Sequence, residues 1–73
     1  MPDLNVPSDM TARVWKIEVA VGDTVAEGDT LLILEAMKQE LPIEAPAAGR
    51  VKQILVAEEA AVEEGQTLVV IET

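Results

Sequence analysis

An internal repeat restricts the possible folds of this chain more than any other feature. Residues 13–35 align with residues 50–72 at an offset of 37 positions, and eleven of these 23 pairs are identical. Three further pairs exchange one aliphatic residue for another: Leu32/Val69, Ile33/Val70 and Leu34/Ile71. Neither copy is long enough to bury an apolar face alone, so the two copies are expected to pack against each other.

The repeat extends less regularly toward the N-terminus. Val6-Pro7-Ser8 resembles Ala45-Pro46-Ala47, but at an offset of 39. This match predicts that the first copy carries two extra residues near Asp9-Met10.

Apolar residues recur at every second position through most of the chain, which is typical of β-strands. Glycine and proline mark the turns between them. The predicted strands are Asp3–Val6, Arg13–Val21, Thr24–Val25, Thr30–Glu35, Gln39–Glu44, Arg50–Val56, Val62 and Thr67–Glu72. A helical turn fits only Ala57–Glu64. Two similar four-strand copies predict an all-β sandwich of two sheets with approximate two-fold symmetry.

Several positions are more specific. Thr30–Glu35 is apolar on both faces and should be a central, covered strand. Pro42 lacks a backbone donor, so Gln39–Glu44 should either lie at a sheet edge or have residue 42 facing away from its neighbouring strand. Gly28 and Gly65 occupy matching turns, where a positive φ is expected. In Arg13–Val21 the inward face is predicted to carry Trp15, Ile17, Val19 and Val21, with Trp15 serving only in packing.

Composition excludes several classes of function. Five basic and fourteen acidic residues give a net charge of −9, which disfavours nucleic acid and anionic membranes as partners. The longest apolar run is too short to span a bilayer, and the N-terminus lacks the features of a signal peptide. With no cysteine and no histidine, neither disulfides nor a Cys/His metal site can form. We therefore expect residues 1–73 to form one cytoplasmic, monomeric domain.

The candidate functional residue is Lys38, the only basic residue between Lys16 and Arg50. It lies in the predicted turn that joins two strand-like runs. A lysine amine is ordinarily protonated at neutral pH and is then a poor nucleophile. Without histidine or cysteine, and with Ser8 as the only serine, the chain has no residues from which a nucleophilic triad could be built. No catalytic residues are predicted, and Lys38 is either a modified residue or an ordinary solvated lysine.

The motifs around Lys38 resemble those of the biotinyl and lipoyl attachment domain family. Glu35-Ala36-Met37-Lys38 matches the biotin-attachment motif, in which the lysine after Ala-Met is acylated. The segments 22–31, 45–51 and 62–68 match further signatures of the same family, so the resemblance covers nearly the whole chain. It implies a flattened eight-strand barrel with Lys38 on the turn between the fourth and fifth strands. The short connection at Gly22-Asp23 implies the small type of biotin carboxyl carrier protein, which lacks a protruding thumb.

The resemblance also implies a function. A biotin protein ligase would join biotin to Lys38, with Ala36 and Met37 read by the ligase and Glu35 assisting its docking. A biotin carboxylase would then load a carboxyl group that a carboxyltransferase passes on, most commonly to an acyl-CoA, as in acetyl-CoA carboxylase and fatty acid biosynthesis. The carrier itself would not be an enzyme and would bind no metal.

Two alternatives remain open. A lipoyl carrier domain of an oxo-acid dehydrogenase or of glycine cleavage would have the same fold, but such domains usually carry Asp-Lys-Ala where this chain has Met37-Lys38-Gln39. An unmodified structural module is the other alternative. The chain also departs from the family pattern at Gln39, at the first proline turn, and at Glu59-Ala60, which replaces a Gly-Asp turn.

Overall fold

The computed structural model describes residues 2–73, which form eight β-strands. The strands are β1 Asp3–Pro7, β2 Ala12–Ile17, β3 Thr24–Val25, β4 Thr30–Ala36, β5 Gln39–Glu44, β6 Gly49–Ile54, β7 Ala61–Val62 and β8 Thr67–Glu72. Within these residues no helix is long and apolar enough to cross a membrane. Ala57–Glu64, the one stretch that could have formed a helical turn, does not form one. The backbone of Glu59 and Ala60 is instead hydrogen-bonded to Val14, which leads the chain into β7.

The strands form two four-stranded antiparallel sheets, in the orders β1-β8-β6-β3 and β5-β4-β2-β7. The predicted all-β, two-sheet fold is confirmed, and so are the central place of β4 and the edge place of β5. Each copy of the repeat supplies two strands to each sheet. Neither copy can therefore complete a sheet without the other.

The strand register follows the repeat at one constant offset. In the pairing of β2 with β4, Arg13 faces Glu35 and Val14 faces Leu34. The pairing of β6 with β8 matches it 37 residues later, including the position of a β-bulge. The N-terminal segment keeps the same offset, because the backbone hydrogen bonds of Ser8 to Gly65 and Gln66 correspond to those of Ala45 to Gly28 and Asp29. The predicted two extra residues near Asp9-Met10 are therefore wrong.

The core lies between the sheets and consists almost entirely of aliphatic side chains. The largest fully buried ones are Leu31, Leu32, Leu34, Leu68, Ile71, Val14, Val51, Val62 and Val69. A register shift between Thr30 and Leu32 lets two consecutive leucines, Leu31 and Leu32, both be buried. Burial of this apolar surface is the main stabilising contribution available to the chain.

The inward face predicted for the second strand is partly wrong. The strand ends at Ile17, and Val14 is fully buried whereas Trp15 is 44% exposed and Val21 is 62% exposed. The cause is the bulge: Val14 faces Leu34 and Lys16 faces Ile33, so Trp15 is an extra residue without a partner on β4. One inserted residue reverses the alternation of the strand, which moves Trp15 outward.

Three turn glycines have positive φ, and one matching turn lacks glycine. Gly28 and Gly65 have φ of 90° and 86°, as predicted. Gly22 has φ of 98°, and its repeat mate, Glu59, has φ of 74°. A non-glycine residue in this region costs about 1–2 kcal/mol. The second-copy turn is therefore strained, and its first-copy counterpart is not.

Glu59→Gly is expected to stabilise the protein. The substitution relieves the left-handed backbone strain but adds freedom to the unfolded chain, which leaves a gain of about 0.5–1 kcal/mol. The backbone bond from Glu59 to Val14 is retained, because it uses the main-chain N–H. Urea denaturation measures the change.

Gly22→Ala is the matched control for this prediction. No heavy atom lies within 4 Å of a Cβ built there, so any loss of stability comes from the backbone alone. It should destabilise by about 1 kcal/mol. A lower denaturation midpoint for Glu59→Gly would show that its turn is not strained.

Candidate functional site

The mid-chain hairpin joins β4 to β5 through only two residues. Ala36 pairs with Gln39 across the hairpin, which leaves Met37 and Lys38 as the turn. Their φ values are 53° and 66°. Positive φ at both central residues defines a type I′ turn, whose twist matches that of the flanking strands. The predicted placement of Lys38 on the turn between the fourth and fifth strands agrees with this geometry.

The residues in this turn are not those that the turn prefers. Type I′ turns favour Asn-Gly, because those residues tolerate the left-handed region at little cost. Methionine and lysine each cost about 1–2 kcal/mol there. Strain of this kind is concentrated at functional sites, where the surrounding structure maintains it. The Met37-Lys38 pair is therefore better explained by a function than by folding.

Lys38 differs from the other basic side chains in its surroundings. Arg13, Lys16, Arg50 and Lys52 each form an ion pair, with Glu35, Glu18, Glu72 and Asp3 respectively. The hydrogen bond from Lys52 to Asp3, at 2.8 Å, raises the pKa of Lys52. Within residues 2–73, Lys38 has no ion-pair partner and is exposed. Its amine is available to another molecule.

The neighbours of Lys38 differ in exposure. Met37 is 95% exposed, which is unusual for a large apolar side chain and suits recognition by a protein surface. Ala36 is half-buried at the end of β4. Both lie beside the amine, where the resemblance implied that a ligase would read them.

Glu35 is occupied by a contact within the fold. Its Oε1 accepts a hydrogen bond from Arg13 Nη2 at 2.9 Å. The repeat mates Arg50 and Glu72 form the same pair in the other sheet, far along the chain from the hairpin turn. The Arg13–Glu35 pair therefore belongs to the repeated fold. A docking role for Glu35 stays a prediction.

A cleft on the surface of the domain lies away from the hairpin turn. This cleft, of about 360 Å³, lies where β1 and β5 approach each other. Its lining pairs repeat mates, namely Asn5 with Pro42, Val6 with Ile43, Pro7 with Glu44, and Asp9 with Pro46. It therefore lies on the approximate two-fold axis, and none of its residues belongs to the turn. The cleft is therefore separate from the tip that carries Lys38.

A covalently linked biotin fits this tip. The attachment needs an accessible, unpaired amine and space for the group to extend, and Lys38 provides both. Sequence reasoning located the lysine, but it did not foresee the type I′ turn. The short stretch between the two strand-like runs could have suggested a two-residue turn. However, neither methionine nor lysine is typical of a type I′ turn.

Comparisons with known proteins identify the family of this chain. Residues 1–71 match the family model described as biotin-requiring enzyme. The chain is 41% identical over 68 residues to a urea amidolyase of Saccharomyces cerevisiae, covering 93% of this chain and 4% of that protein. It is 39% identical over 51 residues to a biotin/lipoyl attachment protein of Bacillus subtilis, covering 70% of each.

A solved structure gives the same result in three dimensions. The urea carboxylase of Kluyveromyces lactis superposes with a TM-score of 0.93 at 39% identity, over 99% of this chain and 6% of that one. The chain spans only 3–4% of the length of the urea amidolyases that it matches. Together, the family match, the fold and the free tip lysine show that the chain belongs to the biotin-requiring enzyme family and is a carrier domain for covalently bound biotin.

Proposed function

We propose that residues 1–73 form one carrier domain, that Lys38 is its biotin-attachment residue, and that the domain moves carboxyl groups from a biotin carboxylase to a carboxyltransferase. The observation that carries this proposal is the exposed, unpaired Lys38 in a strained two-residue turn. The domain contributes no catalytic group of its own. Its partners are a biotin protein ligase and the two carboxylase activities.

Lys38 receives biotin through an amide bond. In the active site of the ligase its amine loses a proton and attacks the acyl carbon of biotinyl-AMP, and AMP leaves. Ala36 and Met37 hold the lysine at the tip and present it to the ligase. When bound, biotin supplies a ureido nitrogen that can carry a carboxyl group.

The rest of the chain keeps the root of the attached arm fixed. β4 and β5 pair as far as Ala36 and Gln39, so the backbone is ordered up to the turn. Tethering replaces free diffusion of the group by a local concentration in the millimolar range that short linkers give. The long side chain of Lys38 provides the reach, and the hairpin fixes its origin.

The class of molecule that accepts the carboxyl group is proposed from the similar proteins. We propose an acyl-CoA, since a long-chain acyl-CoA carboxylase has the same domain fold, with a TM-score of 0.90 at 28% identity. Urea is the second candidate, because the identity to the urea carboxylase is higher, at 39%. Methylcrotonoyl-CoA and pyruvate carboxylases also match, at 44% and 42% identity over part of the chain. Similar carriers thus occur with different acceptors.

Intact mass spectrometry tests the proposed function. The purified chain is incubated with a biotin protein ligase, biotin and ATP, and a parallel sample receives a lipoate ligase, lipoate and ATP. We expect a mass increase of one biotin, located on Lys38 by peptide mapping, and none with lipoate. Lipoylation alone would favour the lipoyl alternative. An unchanged mass in both samples would favour an unmodified structural module.

A further inference from the structure

The outer face of the hairpin sheet carries an apolar surface next to the turn. We call it the Trp15 face, and it consists of Trp15 on β2, Ile33 on β4 and Pro42 on β5. Lys16 faces Ile33, and Ile33 faces Pro42, so one row of residues crosses three strands. Trp15 is 44% exposed and Pro42 is exposed. Two of its three strands, β4 and β5, lead to the turn that carries Lys38.

The repeat indicates the direction in which the Trp15 side chain extends. Its mate, Lys52, is the extra residue of the corresponding bulge in β6. From there Lys52 Nζ reaches Asp3 Oδ2 on β1, at 2.8 Å, across the intervening strand β8. The bulge thus directs its side chain over the outer face toward the edge strand. In the hairpin sheet, the same direction takes Trp15 over β4 toward Glu40, the mate of Asp3.

The two copies of the repeat differ in their residues on this face but both carry aliphatic residues in the core. Lys52 and Asn5 occupy the second sheet at the positions of Trp15 and Pro42. The fold therefore accommodates polar residues at both places in its other sheet. The exposed tryptophan lies only on the sheet that carries Lys38, and with exposed Pro42 on the same sheet it indicates a surface used for recognition.

The charge on this face is also unbalanced. Glu35 and Glu40 face each other across β4 and β5, and such like-charged pairs are destabilising. Glu35 is neutralised by Arg13, but Glu40 has no ion pair within residues 2–73. Its mate, Asp3, is neutralised by Lys52. The replacement of that lysine by Trp15 leaves Glu40 available to a cation from outside.

We propose that the Trp15 face is the docking surface for the biotin protein ligase, which would offer an apolar patch with a basic side chain, best an arginine. An arginine can stack on the indole of Trp15 and pair with Glu40 at the same time. The ligase is the fitting occupant because it must recognise the unmodified chain by protein surface alone, whereas the carboxylase partners also bind the attached group. This inference rests on the proposed function.

Trp15→Lys tests the proposal, because it installs the residue that the repeat already accommodates. The new lysine can pair with Glu40 as Lys52 pairs with Asp3, so the fold should be retained. We expect the KM of the ligase for the unmodified chain to rise roughly 10- to 100-fold, as for loss of a central interface tryptophan, with kcat little changed. Circular dichroism and urea denaturation verify folding.

Two further variants serve as a control and as an independent test of the docking surface. Lys52→Ala alters the matching position on the other sheet and should leave the KM for the ligase unchanged. Glu40→Lys reverses the charge without removing Trp15 and should also raise the KM, which keeps the proposal testable even if Trp15→Lys folds poorly. Added salt should raise the KM of the wild type, since the proposed contact includes an ion pair.

The outcomes separate docking from attachment. Wild-type KM for both Trp15→Lys and Glu40→Lys would overturn the docking proposal while leaving Lys38 as the attachment residue. A fall in kcat at constant KM, or a defect seen only with the carboxylase, would also overturn it. If the wild type is not biotinylated at all, the proposed function fails first, and the docking proposal fails with it.

Discussion

Lys38→Arg is expected to reduce biotin incorporation to background. Arginine keeps the positive charge, but its guanidinium is not deprotonated in proteins and cannot attack an acyl group. Arg13 and Arg50 fail for the same reason, and Lys16 and Lys52 are not expected to replace Lys38 because they lie within β2 and β6 and not in the turn. Intact mass and a streptavidin blot after incubation with ligase measure the effect.

A second substitution at the same position separates loss of the amine from loss of the fold. Lys38→Gly removes the side chain and relieves the left-handed backbone, which has φ of 66°. It should raise stability by up to about 1 kcal/mol and still abolish labelling. Biotin found on either variant, at any residue, would show that Lys38 is not the sole attachment site.

Leu34→Ala is expected to have the largest effect on stability. Leu34 is fully buried and faces Val14 on one side and Leu41 on the other. Truncation of a buried leucine costs about 2–5 kcal/mol. A chain of 73 residues is expected to have only roughly 4–11 kcal/mol in total. The variant should therefore lose a large fraction of the total stability and unfold at a much lower temperature, as a thermal melt followed by circular dichroism would show.

The repeat supplies the control for this substitution. Ile71 occupies the position of Leu34 in the other sheet and is also fully buried. Leu34→Ile should therefore cost less than about 1.5 kcal/mol, because it conserves volume. Comparable destabilisation by both variants would mean that shape at position 34, and not buried apolar volume, decides stability.

Much of the fold could be predicted from the sequence, because the signals for strands and turns come from neighbouring residues and occur in both copies of the repeat. Alternation of apolar residues identified the strands, and Pro42 placed β5 at an edge since proline cannot donate to a further strand. Two of the failures have one kind of cause. The bulge at Trp15 and the hydrogen bonds of Glu59 and Ala60 to Val14 depend on partner strands that are distant in sequence.

The site shows the same division. The sequence by itself determined that Lys38 is the candidate residue, because a motif and a turn signal are read from neighbouring positions. Only the tertiary structure decided that the turn is type I′, that Glu35 is held by Arg13, and that Trp15 is exposed on the outer face of its sheet. These features arise from pairing between strands, whose register is set by which side chains the assembled core can bury. Such pairing is a property of the whole sandwich and is not encoded in any one segment.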